Sequence, residues 1–516
     1  MTSSSSDKAE FNDKVVLAAD FETAIASTGF GAFNIVLLLV ALPAAVATVF
    51  ETSTISYVLP SAECDLKLNL LDKGALYAIP YAGIITSSLL WGYLADSRGR
   101  KQILIYGFLV DALCVLSASI SQNITQLLIF KYLGGFVICG PYAVLMSYLT
   151  ELHGKKYRAR ILMSIGIMIT MATLILPALA LIILPINWSF NMAGLYFNSW
   201  RIFIAISALP SLLSGILFTR FPESPKFLMS LGRDKEALQI FRMIFAKNSG
   251  KPEQCFAIVE LDNELKTSSI VDELNFSDKL RATRKQLAPL FRKPYLRLSL
   301  QVYLINFCIL VGHSTVTLWL PQLFATISEF EHSSMISPSM CAIIEYSVNK
   351  TSMLDQNKSL DHCQLPISSA SYTNNIIVGL TSIFGYLIAV SLVRTVGESW
   401  ILVISSILAG SSGILLYWSA TALSTLITSA LFVCMGNIAI TTITNASVNL
   451  FPTLLRTIVV SQSSMFGRCG SLLGNIAFPI FMFFGCIPPF LLISSVMYMA
   501  GFLAYFLPQT KNMSLK

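Results

Sequence analysis

Five polar residues stand inside long apolar runs, where hydrocarbon-facing side chains would be the rule: Glu51, Asp111, Lys131, His313 and Asn445. An ionisable group in hydrocarbon costs several kcal/mol unless it is paired or faces water. Such residues therefore tie helices together, or they bind and move a solute or a proton. Glu51 fits a carboxyl that loads and releases a proton or touches a solute, and equally a carboxylate at a water interface. Asp111 and Lys131 carry opposite signs on successive apolar runs, which fits a mutual pair, as a helix tie or as a substrate contact. His313 shares its run with Gln301, Asn306 and Trp319, and reads as a packing residue or a ligand. Asn445 belongs to a stripe with Asn437, Thr441, Thr442, Thr444 and Asn449, the pattern of a helix that lines a cavity.

The elements that must position these groups are membrane helices. Of 516 residues, 54% are hydrophobic and 12% charged, with mean hydropathy +0.68. A soluble domain carries about 25% charge. Twelve runs are long enough to cross a bilayer: about 33–57, 73–93, 103–119, 127–150, 161–184 and 200–221, then 298–325, 376–393, 400–417, 421–448, 458–484 and 489–507. The expected fold is all-α and polytopic, with two six-helix bundles, 33–221 and 298–507. A tail (1–32) precedes them, a charged linker (222–297) joins them, and a short tail (508–516) ends the chain. Within the linker, Leu238, Phe241, Ile244 and Phe245 have helical spacing. No early apolar core marks a cleavable signal peptide. There is no nucleotide-binding glycine loop, zinc-spaced His/Cys cluster or nucleophile elbow, so no enzyme, metal or cofactor is expected. The net charge of +7 reads as a one-sided excess of Lys and Arg, not as a nucleic-acid footprint.

Lys and Arg also set the orientation. Arg98–Lys101, Lys155–Arg160, the linker, Arg394 and Arg456 fall on one side; chiefly Lys67, Lys350 and Lys358 fall on the other. The positive-inside rule places both termini in the cytoplasm. The polar loop 326–373 then lies in the lumen or outside the cell. Cys341 and Cys363 are its only cysteines, so a disulfide between them is expected, worth about 3 kcal/mol in the chain-entropy model. Asn349-Lys350-Thr351 and Asn357-Lys358-Ser359 are glycosylation acceptors on that side.

Between the second and third runs lies Gly92-Tyr93-Leu94-Ala95-Asp96-Ser97-Arg98-Gly99-Arg100-Lys101, a tight basic turn. It resembles the signature loop of the major facilitator superfamily at Gly92, Asp96, Gly99, Arg100 and Lys101. The resemblance implies that Asp96 sits at the cytoplasmic mouth, near a helix N-terminus of the other half, and helps to latch that gate. Pro222-Glu223-Ser224-Pro225-Lys226 resembles the linker of sugar and organic-ion transporters. Val58-Leu59-Pro60-Ser61-Ala62-Glu63, Trp188-Ser189-Phe190, Ser199-Trp200-Arg201 and Phe451-Pro452-Thr453 with Arg456 resemble the synaptic vesicle glycoprotein 2 family and its relatives. Loop 326–373 stands where that family has its large luminal domain, but is much shorter.

The resemblance makes Glu51 an acidic transport position, with Thr48 where a second acid is expected. It implies a cytoplasmic salt-bridge cluster of Glu151, Arg158, Arg98 and Arg100 in the first half. In the second half Arg456 remains, but Asn449 replaces a glutamate and Gly397-Glu398-Ser399 replaces a basic turn, so a weaker latch is expected there. The reading is an alternating-access secondary transporter of a small organic solute, a sugar or an organic ion, monomeric in the plasma membrane or a vesicle membrane, with proton coupling through Glu51 left open. The rival is a non-transporting vesicle glycoprotein that acts through binding partners.

Overall fold

The computed structural model describes residues 18–186, 188–192, 195–262, 290, 292–333, 339–356 and 369–508. Among them, eleven helices are long and apolar enough to cross a membrane. A further helix of 28 residues, Ser369–Val396, stands in the eighth place. The first half contains Ala32–Ala62, Leu70–Arg98, Arg100–Ser119, Ile124–Glu151 and Lys155–Ile183. Its sixth span is two stacked pieces, Ser199–Ser207 and Leu209–Phe218, broken just before Pro210. The second half contains Leu296–Ser333, Ser369–Val396, Glu398–Tyr417, Ala422–Leu450, Thr453–Phe483 and Ile487–Tyr505. These are spans one to twelve below. The seventh runs on past the expected end at Ala325 to Ser333.

The halves meet through two main pairings. Span two packs on span eleven, and span five on span eight. Exchanging each helix for its counterpart six places away in the other half turns one pairing into the other, which is the relation expected of two structurally repeated halves. The turns match as well: Gly99, between spans two and three, has φ +90°, and Gly397, between spans eight and nine, has φ +92°. Only glycine enters that conformation without strain.

The tail and the linker are not merely connecting chain. Phe21–Ser27 is a short helix, capped by the Asp20 side chain. Asp234–Ser249 is the linker helix anticipated from its spacing, with Phe241 and Ile244 buried. Phe21 packs on Phe241 at 6.0 Å between ring centroids, and Ala18–Ala19 pairs in parallel with Glu260–Leu261. A small apolar cluster of Ala24, Ile25, Met229, Ala237 and Phe256 joins the two segments beneath the first half.

The expected Cys341–Cys363 bridge is corrected. Cys341 is bonded to Cys486, 145 residues along, with Cα atoms 5.1 Å apart. The cause is a helix, Met340–Gln356, that sequence patterning did not reveal inside the polar loop. At 1.5 Å per residue it carries the chain roughly 20 Å away from Cys341, while the start of span twelve abuts its first turn. Cys64 is also disulfide-bonded. Cys363 and Asn357 lie outside the described residues, and Asn349 is exposed on the loop helix. Non-reducing peptide mapping should recover a Cys341–Cys486 cross-link, and Cys486→Ser should leave Cys341 open to alkylation. A Cys341–Cys363 peptide in the wild type would refute the pairing.

Candidate functional site

Three charged groups meet in the core of the first half. Lys131 Nζ, from span four, donates to Glu51 Oε1 of span one at 2.9 Å and to the Glu51 carbonyl at 3.0 Å. Gly134, one turn beyond Lys131, makes the room: a Cβ there would collide with the Glu51 carboxylate. Asp111 of span three accepts from Ser211 Oγ of span six at 2.5 Å. It lies within electrostatic reach of both Glu51 and Lys131. Glu51, Asp111 and Lys131 are 2%, 0% and 2% exposed. Glu51 Oε2 and Asp111 Oδ1 have no hydrogen-bond partner among the described residues. The expected Asp111–Lys131 pair is thus replaced by Glu51–Lys131, because span one packs on span four and supplies the nearer carboxylate. Two acids and one base are sealed together.

The other two sequence candidates lie elsewhere. His313 is buried within the second half, with its ring against Gly436 of span ten and Nε2 without a partner among the described residues. Asn445 is exposed on span ten and makes no hydrogen bond among the described residues.

The basic face carries the turn motif. Glu223 accepts from the backbone N–H of Arg100 and of Lys101, each at 3.0 Å. A carboxylate thus sits on the open N-terminus of span three, where the helix dipole favours it. A Cβ at Gly99 would strike that carboxylate, so the turn glycine is required twice over. Arg100 Nε lies 3.4 Å from Glu151, and Ser224 Oγ donates to the same carboxylate at 2.5 Å. The linker motif Pro222–Lys226 therefore locks spans two, three and four together. Arg158 departs from the expected cluster: it pairs at 2.9 Å with Glu22 of the tail helix, which occupies the position in front of it. Arg98 and Gly92 are exposed. The Asp96 side chain lies outside the described residues. In the second half, Arg456 Nε donates to the Phe451 carbonyl at 2.9 Å. Asn449 donates to Glu398 at 2.8 Å, so the two departures from the family pattern bind each other.

On the opposite face a network links the halves, and composition did not single it out. Glu63, at the end of span one, pairs with Lys73 of span two at 2.8 Å. It accepts from Gln322 of span seven at 3.2 Å. Lys350 of the loop helix lies 3.8 Å from Glu63 and 2.8 Å from Glu329. The void they surround with Trp319 is about 10 Å³, room for one water. Beside it, Tyr77 packs edge-on against Trp319 at 5.0 Å. The loop helix therefore sits at the opposite end of span two from the turn at Gly99. The signal for Glu63 was its place in the Val58–Glu63 motif; Lys73 and Lys350 gave none, since a lysine at a span end is ordinary. The Ser199–Arg201 motif has a structural part here: Arg201 is buried, pairs with Asp65 at 2.7 Å and stacks on Trp200 at 4.2 Å.

One further charge went unflagged. Arg468, at the centre of span eleven, reaches across to Cys139 of span four.

Two outcomes follow. Lys131→Met should cost about 3–5 kcal/mol by stranding a buried carboxylate. Adding Glu51→Gln should recover part of that loss, as read by thermal unfolding in detergent. Burial works to raise the Glu63 pKa, but the charges of Lys73 and Lys350 and the hydrogen bonds from Lys73 and Gln322 outweigh it and hold Glu63 below its ordinary 4.5. Its stabilising contribution is then complete above pH 4.5 and is lost as pH falls further. Below that pH the wild type should lose Tm faster than Glu63→Gln; parallel curves would refute the network.

Comparison with known proteins places this geometry. Residues 25–348 match the family model of the Major Facilitator Superfamily. Synaptic vesicle glycoprotein 2C of Mus musculus is 34% identical over 51% of this chain and 36% of its own length. Synaptic vesicle glycoprotein 2B of Homo sapiens is 29% identical over 62% of this chain and 50% of its own. The matched region thus spans between about a third and a half of these relatives. Among solved structures, a D-xylose-proton symporter superposes with TM-score 0.64 at 17% identity, covering 94% of this chain and 99% of that one. The inward-open xylose transporter XylE from E. coli gives 0.64 at 15% identity, covering 93% and 98%. With two repeated helical halves joined through spans two, five, eight and eleven, and a family match over more than half of its length, the chain belongs to the Major Facilitator Superfamily.

Proposed function

We propose that the protein is a secondary transporter that moves a small organic solute by alternating access, with proton coupling through Glu51, Asp111 and Lys131. The observation that carries the coupling is the buried cluster itself. Two carboxyls and one ammonium are sealed together, with one oxygen of each acid unpartnered among the described residues. A structural tie needs one pair; the extra acid gives the site a place for one proton. Binding or release of that proton changes the charge of a core shared by spans one, three, four and six, which supports coupling to movement of the half.

The gates fit the same reading. The network of Glu63, Lys73, Gln322 and Lys350 bridges the halves and would close the luminal side. On the cytoplasmic side, a Glu151–Arg100 ion pair in the first half stands opposite an Asn449–Glu398 hydrogen bond in the second. Asp96 remains assigned to that gate through the turn motif, and Asn349 to glycosylation on the exposed face of the loop helix.

Proteoliposomes given labelled sugars, organic cations or organic anions in the external medium, with and without a proton gradient across the membrane, test the proposal. Accumulation of one class should follow the gradient in the wild type. Asp111→Asn should lose that accumulation at least about tenfold while keeping solute exchange at zero gradient, which shows that the variant is folded. Gradient-driven accumulation undiminished in Asp111→Asn would overturn the coupling. Neither uptake nor exchange of any class by folded wild type would overturn the transporter reading.

A further inference from the structure

Among the described residues at the middle of the spans, charge pairing leaves one cation over. Glu51 neutralises Lys131, Asp65 neutralises Arg201 and Glu63 neutralises Lys73. Arg468 forms no ion pair with any acidic side chain among the described residues. It is half-buried at the middle of Thr453–Phe483, the depth at which an uncompensated cation is most costly. Its direction is set by packing. Gly467, Gly470 and Gly474 lie flat against Asn306, Phe307, Val311 and Thr315 of span seven. The neighbouring face, with Arg468, turns toward the first half.

There the guanidinium comes to 3.9 Å from Cys139 Sγ, at the middle of Ile124–Glu151. Its charge reaches the hydroxyls of Tyr81 of span two and Tyr142 of span four, both half-buried. Two turns along span eleven, Asn475 is fully buried, donates to Ser314 at 3.3 Å and keeps an Oδ1 without a partner among the described residues. A thiol and two phenols can line a site but do not cancel a charge. What is missing is an anion, and an arginine presents a planar fork that a carboxylate meets with two hydrogen bonds.

We propose that Arg468 is the anchor of the solute site, and that the solute is a small organic anion whose carboxylate sits between Arg468 and the hydroxyls of Tyr81 and Tyr142. This rests on the transporter reading and adds its substrate class. The anion would touch both halves, Arg468 from one and the two tyrosines from the other, so its affinity would depend on how the halves are disposed. That is the condition for a ligand to shift a two-state equilibrium.

The test is binding, read apart from transport. Thermal unfolding of the detergent-solubilised full chain is followed with benzoate, with its neutral isostere benzamide, with benzyltrimethylammonium and with sodium chloride alone. Benzoate should raise Tm by a few degrees through mass action, and the other three should not. In Arg468→Gln the benzoate shift should vanish. In Arg468→Lys, which keeps the charge but loses the fork, a shift should need roughly tenfold more benzoate; this variant carries the test should Arg468→Gln fail to fold. In parallel, benzoate should slow alkylation of Cys139 by N-ethylmaleimide, measured by mass spectrometry, and leave exposed Cys255 unaffected. A benzoate shift retained in Arg468→Gln, an equal shift with benzamide, a shift with chloride but not benzoate, or no benzoate shift in the wild type would each overturn the assignment. Uptake of a neutral or cationic solute that Arg468→Gln leaves intact would overturn it too, while the transporter reading stands. Benzoate binding without uptake or exchange of any solute would leave Arg468 as an anion site and remove the transporter.

Discussion

A charge cannot be left alone in a medium that does not solvate it, and that constraint orders this molecule. Each compensated pair fixes a specific helix contact. Glu51–Lys131 sets the approach of spans one and four, and Gly134 exists to permit it. Arg201–Asp65 pins the start of span six to the loop after span one. Glu63–Lys73 closes the turn between spans one and two. These pairs add little net stability, since desolvation consumes most of their Coulomb energy. Their effect is to make alternative packings costly, so helices that are greasy on every side acquire one register.

The same constraint separates the two ends. On the basic face the first half is stitched by its own linker: Glu223 caps span three and Ser224 reaches Glu151. The matching place in the second half holds Glu398 against Asn449, a neutral donor where a cation-acid pair would be stronger. On the opposite face Gln322 and Lys350 reach Glu63 across the halves, and the loop helix is recruited through Lys350. A molecule with intra-half ties at one end and inter-half ties at the other is stiff within each half and hinged where the network can open.

Span positions were legible because a bilayer demands long apolar runs, and the linker helix because Phe241 and Ile244 recur at helical spacing. Lys131's partner was not legible. Sequence adjacency suggested span three, but rotation of a uniformly apolar helix leaves no period to read, and span one carries almost none. The disulfide was misread because Met340–Gln356 is a helix of mixed polarity inside a loop, and because Cys486 looks like a buried cysteine at the end of a span. Arg468 obeyed the rule that singled out Glu51, a charge at the middle of a span. Glu22 acts through Arg158, a residue distant in the chain, which no local pattern announces.

The bond between Cys341 and Cys486 encloses spans eight to eleven in a covalent ring. Tension applied to the two ends of the chain bypasses that ring, so a contour of roughly 500 Å, at about 3.4 Å per extended residue, stays hidden from it. Pulled from a bilayer by single-molecule force, the oxidised protein would release its last spans as one short step; the reduced one would pay them out helix by helix.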